Sequence, residues 1–184
     1  IVHWTRTFPA PWTPPRTAVL SAATTNNPSG MLYYTSGQWV FRRSAFGYWR
    51  GGFDLGVAGN PSGGASPALM LRAANGPGTD DDQVWVIVGA KDGFLYALDA
   101  NQNQSDVTDM TMVWRIDLGG DISKSSPVIG SDGTIYIVED ALPNDVLHAV
   151  YWNGTRKWTR TLAAGTGASS PTLDSASATT RLYV

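Results

Sequence analysis

Short apolar segments recur along the chain between clusters of turn residues. Residues 134–139 (TIYIVE) show the pattern well, because they are alternating and β-branched and follow the turn sequence Ser-Asp-Gly. Alternation at a period of two is typical of β-strands, and Asp-Gly and Asn-Gly dipeptides favour tight hairpin turns. The pattern predicts strands over residues 17–22, 31–35, 38–43, 48–53, 67–72, 84–89, 93–99, 111–117, 126–130, 134–139, 146–152 and 155–162.

A repeat of about forty-four residues organises these strands. Trp114 and Trp158 are forty-four residues apart, and each is followed twelve residues later by the second serine of a Ser-Ser-Pro motif, Ser126 and Ser170. The sequence Trp-Thr-Arg-Thr at Trp158 also occurs at Trp4. A fixed period in this range indicates a repeat architecture rather than a sandwich or a lipocalin-type barrel.

The same tryptophan register extends towards the N-terminus. Trp49 lies forty-five residues after Trp4, whereas the interval from Trp49 to Trp114 is sixty-five residues. The excess falls in three loop-like inserts that are rich in Gly, Asn and Asp, at residues 56–64, 75–82 and 101–109.

Four short strands in each period are the pattern of β-propeller blades. We therefore expect an all-β fold with about three complete four-stranded antiparallel blades and partial blades at either end. Leu182-Tyr183-Val184 aligns with the middle of a second strand, so we expect the chain to be part of a larger propeller. The expected divisions are 1–8 (outer strand of a preceding blade), 9–53, 54–117 and 118–162 (blades), and 163–184 (half blade).

Three segments resemble the repeat of PQQ-type (quinoprotein-like) β-propellers. They are residues 88–99 (VGAKDGFLYALD), 125–137 (SSPVIGSDGTIYI) and 147–158 (LHAVYWNGTRKW). The resemblance implies a propeller of six to eight blades in which the tryptophan of each repeat packs against the neighbouring blade. An indole suits this role because it buries a large apolar surface while its N–H reaches a carbonyl. The expected blade-docking residues are Trp4, Trp49, Trp114 and Trp158.

Composition narrows the classes of function. Charged residues make up 15% of the chain, the formal net charge is −2 and the pI is about 5.5, which disfavours nucleic-acid binding. Helix-favouring Glu and Lys are scarce, in agreement with strands and turns. The absence of cysteine excludes disulfides and thiolate chemistry. No apolar run is long enough to predict a transmembrane helix.

Candidate chemistry is sparse. Quinoprotein dehydrogenases of the resembling superfamily hold PQQ and a calcium ion beneath a vicinal cysteine pair, and this chain has no cysteine. The acidic run 80–82 is interpreted as a solvated loop, and His3 and His148 are interpreted as packing residues. We predict no catalytic, cofactor-binding or metal-binding residue.

Two sequons, at Asn103 and Asn153, are candidate glycosylation sites in expected turns. Together with the polar loops and the low Lys and Glu content, they favour an extracellular, cell-surface or periplasmic location. The predicted function is a non-catalytic scaffold that binds proteins through its long loops, with glycans as further partners. The alternatives are a fragment of a PQQ- and calcium-dependent dehydrogenase, and a carbohydrate-binding propeller that uses exposed aromatics such as Trp12, Trp39 and Trp152.

Overall fold

The computed structural model describes residues 18–20, 30–44, 46–56, 65–73, 76–77, 84–100, 109–174 and 181–184. These residues form strands, turns and loops, and no helix occurs among them. The expectation of an all-β fold built from four-stranded antiparallel sheets is therefore confirmed. Within the described ranges no helix capable of crossing a membrane is found.

The strands form three large sheets and one small sheet, and all pairings are antiparallel; within a sheet, consecutive strands pair except β6 and β7, which both pair with β5. The first sheet contains β1 (Ala18–Leu20), β2 (Met31–Ser36), β3 (Trp39–Ser44) and β4 (Trp49–Asp54). The second contains β5 (Ala68–Ala73), β6 (Gly76–Pro77), β7 (Val84–Gly89), β8 (Phe94–Asp99) and β9 (Thr111–Asp117). The third contains β10 (Val128–Ile129), β11 (Ile135–Glu139), β12 (Val146–Val150) and β13 (Arg156–Thr161), and the small sheet contains β14 (Thr172–Asp174) and β15 (Arg181–Tyr183).

Most observed strands lie within one or two residues of the predicted ones. The main difference is β6, a two-residue strand that pairs with the end of β5 and gives the second sheet a fifth strand. Because β6 contains a proline at its end, it suits the edge of the sheet, where a missing N–H disrupts no further pairing. The described sheets follow one another in chain order and do not close into a barrel.

The central strand β7 of the second sheet is buried on both faces. Val84, Val86 and Val88 of β7 belong to a cluster with Met31 and Tyr33 of the first sheet. The intervening residues of β7, Trp85 and Ile87, belong to a second cluster with Ile135, Ile137 and Val150 of the third sheet and with Ile122, which precedes that sheet. All six residues of β7 are consequently buried. This double burial explains why β7 reads as a continuous apolar run (VWVIVG) rather than as an alternating one.

The second and third sheets approach each other closely at Gly89. A Cβ atom at this position would lie 2.6 Å from the carbonyl oxygen of Ile122 and 2.6 Å from Cδ1 of Ile137. Real Cβ atoms do not approach other atoms so closely, so glycine at the end of β7 is what permits the two sheets to pack here.

Candidate functional site: the contacts between successive sheets

Trp114 joins the second sheet to the third. It is paired with Ala97 across β8 and β9, and its indole Nε1 donates a hydrogen bond of 3.1 Å to the carbonyl oxygen of Trp152. The ring lies against Gly154, where an added Cβ would be 2.8 Å from an indole carbon. A glycine is needed at this contact for two reasons, since its φ of 84° also lies in the left-handed region.

The turn that receives Trp114 is organised by Asn153. Its Oδ1 accepts hydrogen bonds from the backbone N–H of Thr155 at 3.1 Å and from the Thr155 hydroxyl at 2.7 Å. The Asn-Gly dipeptide therefore has two roles, because it closes the β12–β13 hairpin and provides a flat surface for the indole of the preceding sheet. Asn153 itself is exposed.

Trp158 occupies the equivalent position in the third sheet. It is paired with Ala149, and a β-bulge follows both pairs, between Ala149 and Val150 and between Ala97 and Leu98. In contrast to Trp114, Trp158 is 39% exposed and donates no indole hydrogen bond to the described residues. Its ring is tilted against Tyr136 at a centroid distance of 5.8 Å.

Trp49 occupies a different position in the register. In the first sheet the bulge lies between Arg42 and Arg43, so Gly51, opposite Arg42, is the equivalent of Trp114. Trp49 pairs with Arg43 and points away from the second sheet, with its ring 5.5 Å from that of Phe41. Trp4 lies outside the described residues.

Arg42 connects the first sheet to the second, as Trp114 connects the second sheet to the third. Its side chain is completely buried, and its guanidinium donates hydrogen bonds to the carbonyl oxygens of Arg50 and of Ala100, which directly follows β8 of the second sheet. The residue opposite, Gly51, carries no side chain that would occupy this space. Hydrogen bonds to charged donors are stronger than neutral ones, so a single arginine ties the first two sheets together.

Serine hydroxyls link the starts of the successive sheets. The backbone N–H of Ser66 donates to the Ser126 hydroxyl at 2.8 Å, and the N–H of Ser126 donates to the Ser170 hydroxyl at 2.9 Å. The three serines each precede a proline, and the last two belong to the Ser-Ser-Pro motif. Sequence reasoning used this motif only as a register marker. The recurrence of Ser-Pro at the same position before three successive sheets is the signal that could have identified the contact.

A buried ionisable pair lies on the face of the third sheet that packs against the second. His148 Nε2 is 2.7 Å from Glu139 Oε2, and Glu139 Oε1 accepts the backbone N–H of Gly120 at 2.6 Å. The His148 side chain is 3% exposed, and its Nδ1 has no hydrogen-bond partner among the described residues. The interpretation of His148 as a packing residue agrees with this burial.

This environment favours the neutral imidazole. Burial lowers the pKa of His148, and this effect outweighs the nearby Glu139 carboxylate, which raises the pKa; Arg156 lowers it further. In the neutral ring, Nδ1 carries a lone pair and no proton. In the charged ring, Nδ1 would carry an N–H group that has no hydrogen-bond acceptor inside the interface, which is unfavourable. Neutral His148 donates its Nε2 proton to Glu139.

The remaining predicted positions contribute little to these contacts. Trp39 is half-buried and stacks with Phe41 at 6.2 Å, and Trp152 is half-buried against the cluster between the second and third sheets. Asn103, His3, Trp12, the acidic run 80–82 and most of the inserts 56–64, 75–82 and 101–109 lie outside the described residues.

The described residues do not fit a calcium site of the kind that the PQQ alternative implies. No group of three or more His, Asp or Glu side chains that could hold a metal ion occurs among them. We therefore assign no residue to PQQ or calcium.

No family model matches the chain, and no curated protein is significantly similar to it.

The two equivalent tryptophans should differ in their contribution to stability. Trp114→Ala removes a docked indole and is expected to lower the free energy of unfolding by about 2–4 kcal/mol. Trp158→Ala removes a ring that is 39% exposed and should cost less than about 1.5 kcal/mol. Urea denaturation of both variants measures the difference, and equal losses would contradict the docking role of Trp114.

Acid should weaken the protein through His148. The pKa of His148 is lowered on folding, so the unfolded chain binds the proton first as the pH falls below about 6.5. The free energy of unfolding should then decrease with a slope of up to about 1.4 kcal/mol per pH unit until His148 itself protonates. Urea unfolding between pH 8 and pH 4.5 measures this.

His148→Gln is the matched variant, because its amide can still donate to Glu139 but does not titrate. It should abolish the loss of stability in this window. The further loss of stability at lower pH should remain in this variant, because protonation of Asp132 also lowers the free energy of unfolding there. Burial raises the pKa of Asp132, but hydrogen bonds from Thr134 and Lys157 outweigh this and lower it to about 2. An unchanged pH profile in His148→Gln would refute the assignment.

Proposed function

We propose that the chain builds consecutive blades of a β-propeller and acts as a structural scaffold for protein interactions. The observation that supports this most strongly is that the first, second and third antiparallel sheets, of four, five and four strands, pack on one another in chain order. Stacking of this kind is how a propeller buries the faces of its blades.

Contacts at the two edges of the sheets support a fan-like arrangement. At one edge the first strands of neighbouring sheets are close, since β10 lies beside β5 and the serine hydrogen bonds connect the segments that precede these strands. At the other edge the gap between the second and third sheets is bridged by the large indole of Trp114. Small hydroxyls at one edge and a large ring at the other are expected where sheets diverge from an axis.

The proposed interaction surfaces are the three inserts, 56–64, 75–82 and 101–109, because loops on a rigid scaffold vary without disturbing the core. A location outside the cytoplasm or at a cell surface belongs to the same proposal. It is supported by the composition of the loops and by the exposed sequon residue Asn153.

A propeller predicts unequal spacings between the second and third sheets. Spin labels at Ala68 and Val128 report the inner strands, and labels at Met112 and Arg156 report the outer strands at equivalent register positions. Three strand spacings of about 4.8 Å, rotated by about 45–60° for eight to six blades, make the outer separation larger by about 11–14 Å. Double electron–electron resonance measures both pairs, and the absence of native cysteine keeps the labelling specific. Equal separations near 10 Å would indicate a parallel stack and contradict the propeller.

The interaction role is tested by shortening one insert. Replacing residues 101–108 with a short Gly-Ser linker, while keeping Asp109 and Met110, retains the hydrogen bonds between these residues and Gly52. The variant should unfold at nearly the same urea concentration but recover several-fold less partner protein in a quantitative pull-down. The control is a variant in which the same residues are changed to Gly and Ser without a change in length. Unchanged recovery with both variants would contradict a role of this insert.

A further inference from the structure

The Asn153-Gly154 dipeptide combines two features that favour spontaneous deamidation. Asn153 is exposed to solvent, and the residue that follows it is a glycine, which has no side chain to shield its backbone nitrogen. In such a dipeptide the nitrogen of Gly154 can lose its proton and attack Cγ of Asn153, so that the side-chain amide leaves as ammonia. Water then opens the cyclic imide and yields aspartate or isoaspartate.

The fold requires glycine at this position. The φ of Gly154 is 84°, and an added Cβ would lie 2.8 Å from Cδ2 of the Trp114 indole. Another residue would be strained there and would displace the ring that joins the second sheet to the third. The contact between these sheets therefore depends on a dipeptide that is chemically labile.

The turn restrains the attacking nitrogen. The N–H of Gly154 donates a hydrogen bond of 2.9 Å to the carbonyl oxygen of Tyr151. The nitrogen must lose this proton before it can attack Asn153, and a hydrogen bond that the N–H donates favours the protonated form. The hydrogen bond also fixes the orientation of the peptide group.

The carbon that would be attacked is restrained as well. Oδ1 of Asn153 accepts hydrogen bonds from the N–H and the hydroxyl of Thr155, which fix the side chain in an Asx-turn. Two donors on this oxygen would also stabilise the negative charge that develops on it during attack. We therefore expect the approach of the Gly154 nitrogen, and not the activation of the carbonyl group, to limit the reaction.

The docked indole of Trp114 opposes the backbone rotation that this approach needs. The ring lies against Gly154, and its Nε1 donates a hydrogen bond of 3.1 Å to the carbonyl oxygen of Trp152, the residue before Asn153. Rotation on either side of Asn153 would displace the ring or break this hydrogen bond. The contact between the two sheets must consequently open before the turn can react.

We propose that Asn153 is a modification site whose spontaneous deamidation is controlled by the contact between the second and third sheets. The reaction is slow while Trp114 is docked and proceeds when the contact opens. The isoaspartate product adds a methylene group to the main chain, which moves Gly154 relative to the indole and weakens the contact. The inference is independent of the proposed scaffold, because it uses only the contacts between two sheets.

Peptide mass spectrometry measures the reaction in the full chain during incubation in mildly alkaline buffer. Asn153 should deamidate at least ten-fold more slowly in the folded chain than in the same chain unfolded in guanidinium chloride. The other Asn-Gly dipeptide of the sequence, Asn75-Gly76, is the reference in the unfolded chain, where both sites should react at similar rates. Equal rates at Asn153 in the folded and unfolded chain would overturn the proposal.

Trp114→Ala tests whether the contact between the sheets controls the reaction. It should accelerate deamidation of Asn153 at least five-fold under conditions in which urea denaturation shows that the variant is folded. The matched control is Met31→Ala, which removes a fully buried side chain from the cluster between the first and second sheets and should leave the rate nearly unchanged. An unchanged rate in Trp114→Ala, or equal acceleration in both variants, would refute control by this contact.

The effect of the modification is tested on the isoaspartate form, purified by ion-exchange chromatography. It should unfold at a lower urea concentration than the unmodified protein. Asn153→Asp is the control, because its carboxylate can still accept both hydrogen bonds from Thr155 and its main chain is unchanged. It should unfold at nearly the same urea concentration as the unmodified protein. An isoaspartate form as stable as Asn153→Asp would contradict the proposed weakening of the contact.

Discussion

Burial of both faces of β7, the central strand of the second sheet, is the constraint on which the rest of the structure depends. β7 is enclosed between two apolar clusters, one shared with the first sheet and one with the third. Each fully buried Val, Leu or Ile side chain contributes about 1.5–3 kcal/mol, whereas one hydrogen bond contributes about 0.5–1.5 kcal/mol. The apolar clusters therefore drive the stacking, and the hydrogen bonds between sheets determine its register.

The polar contacts are informative because each can form in only one alignment of the sheets. The Ser66–Ser126 and Ser126–Ser170 hydrogen bonds repeat along one edge, and the Trp114–Trp152 hydrogen bond lies towards the other. A slip by one strand residue would turn every apolar side chain to the opposite face and break all of these contacts. Specific stacking thus arises from apolar faces together with a few polar groups at their margins.

The sequence was sufficient to predict most of the described strands and their assembly into four-stranded antiparallel sheets. Strands such as β7, β8 and β11 were found from alternation, apolar runs and Asp-Gly turns, because these signals are local. The register of Trp49 was not predictable from spacing, since the period counts residues while docking depends on strand pairing and on the position of a bulge. Trp49 fits a forty-five-residue interval and still lies two residues before Gly51, the structural equivalent of Trp114.

The buried polar groups were also beyond prediction. Arg42 follows an apolar segment and its sequence context resembles that of an exposed strand residue, yet it is completely buried because the facing sheet offers the carbonyl oxygen of Ala100. Glu139 and His148 lie on neighbouring strands and are nine residues apart in the sequence. No local sequence pattern indicates that both side chains face the second sheet. Such contacts are decided by long-range packing.

Equivalent positions in the three large sheets make different contacts with their surroundings. Between the second and third sheets, the opposing faces are joined by an indole and a glycine; between the first and second, by an arginine and a carbonyl oxygen. In the third sheet, the equivalent indole of Trp158 is 39% exposed and lies against Tyr136 of its own sheet. Because the same β-bulge positions the side chain in all three sheets, the backbone framework is constant while the contact it presents can change. One register position of this frame can therefore hold a docked indole in one interface and, where it is a glycine, leave room for a buried arginine in another.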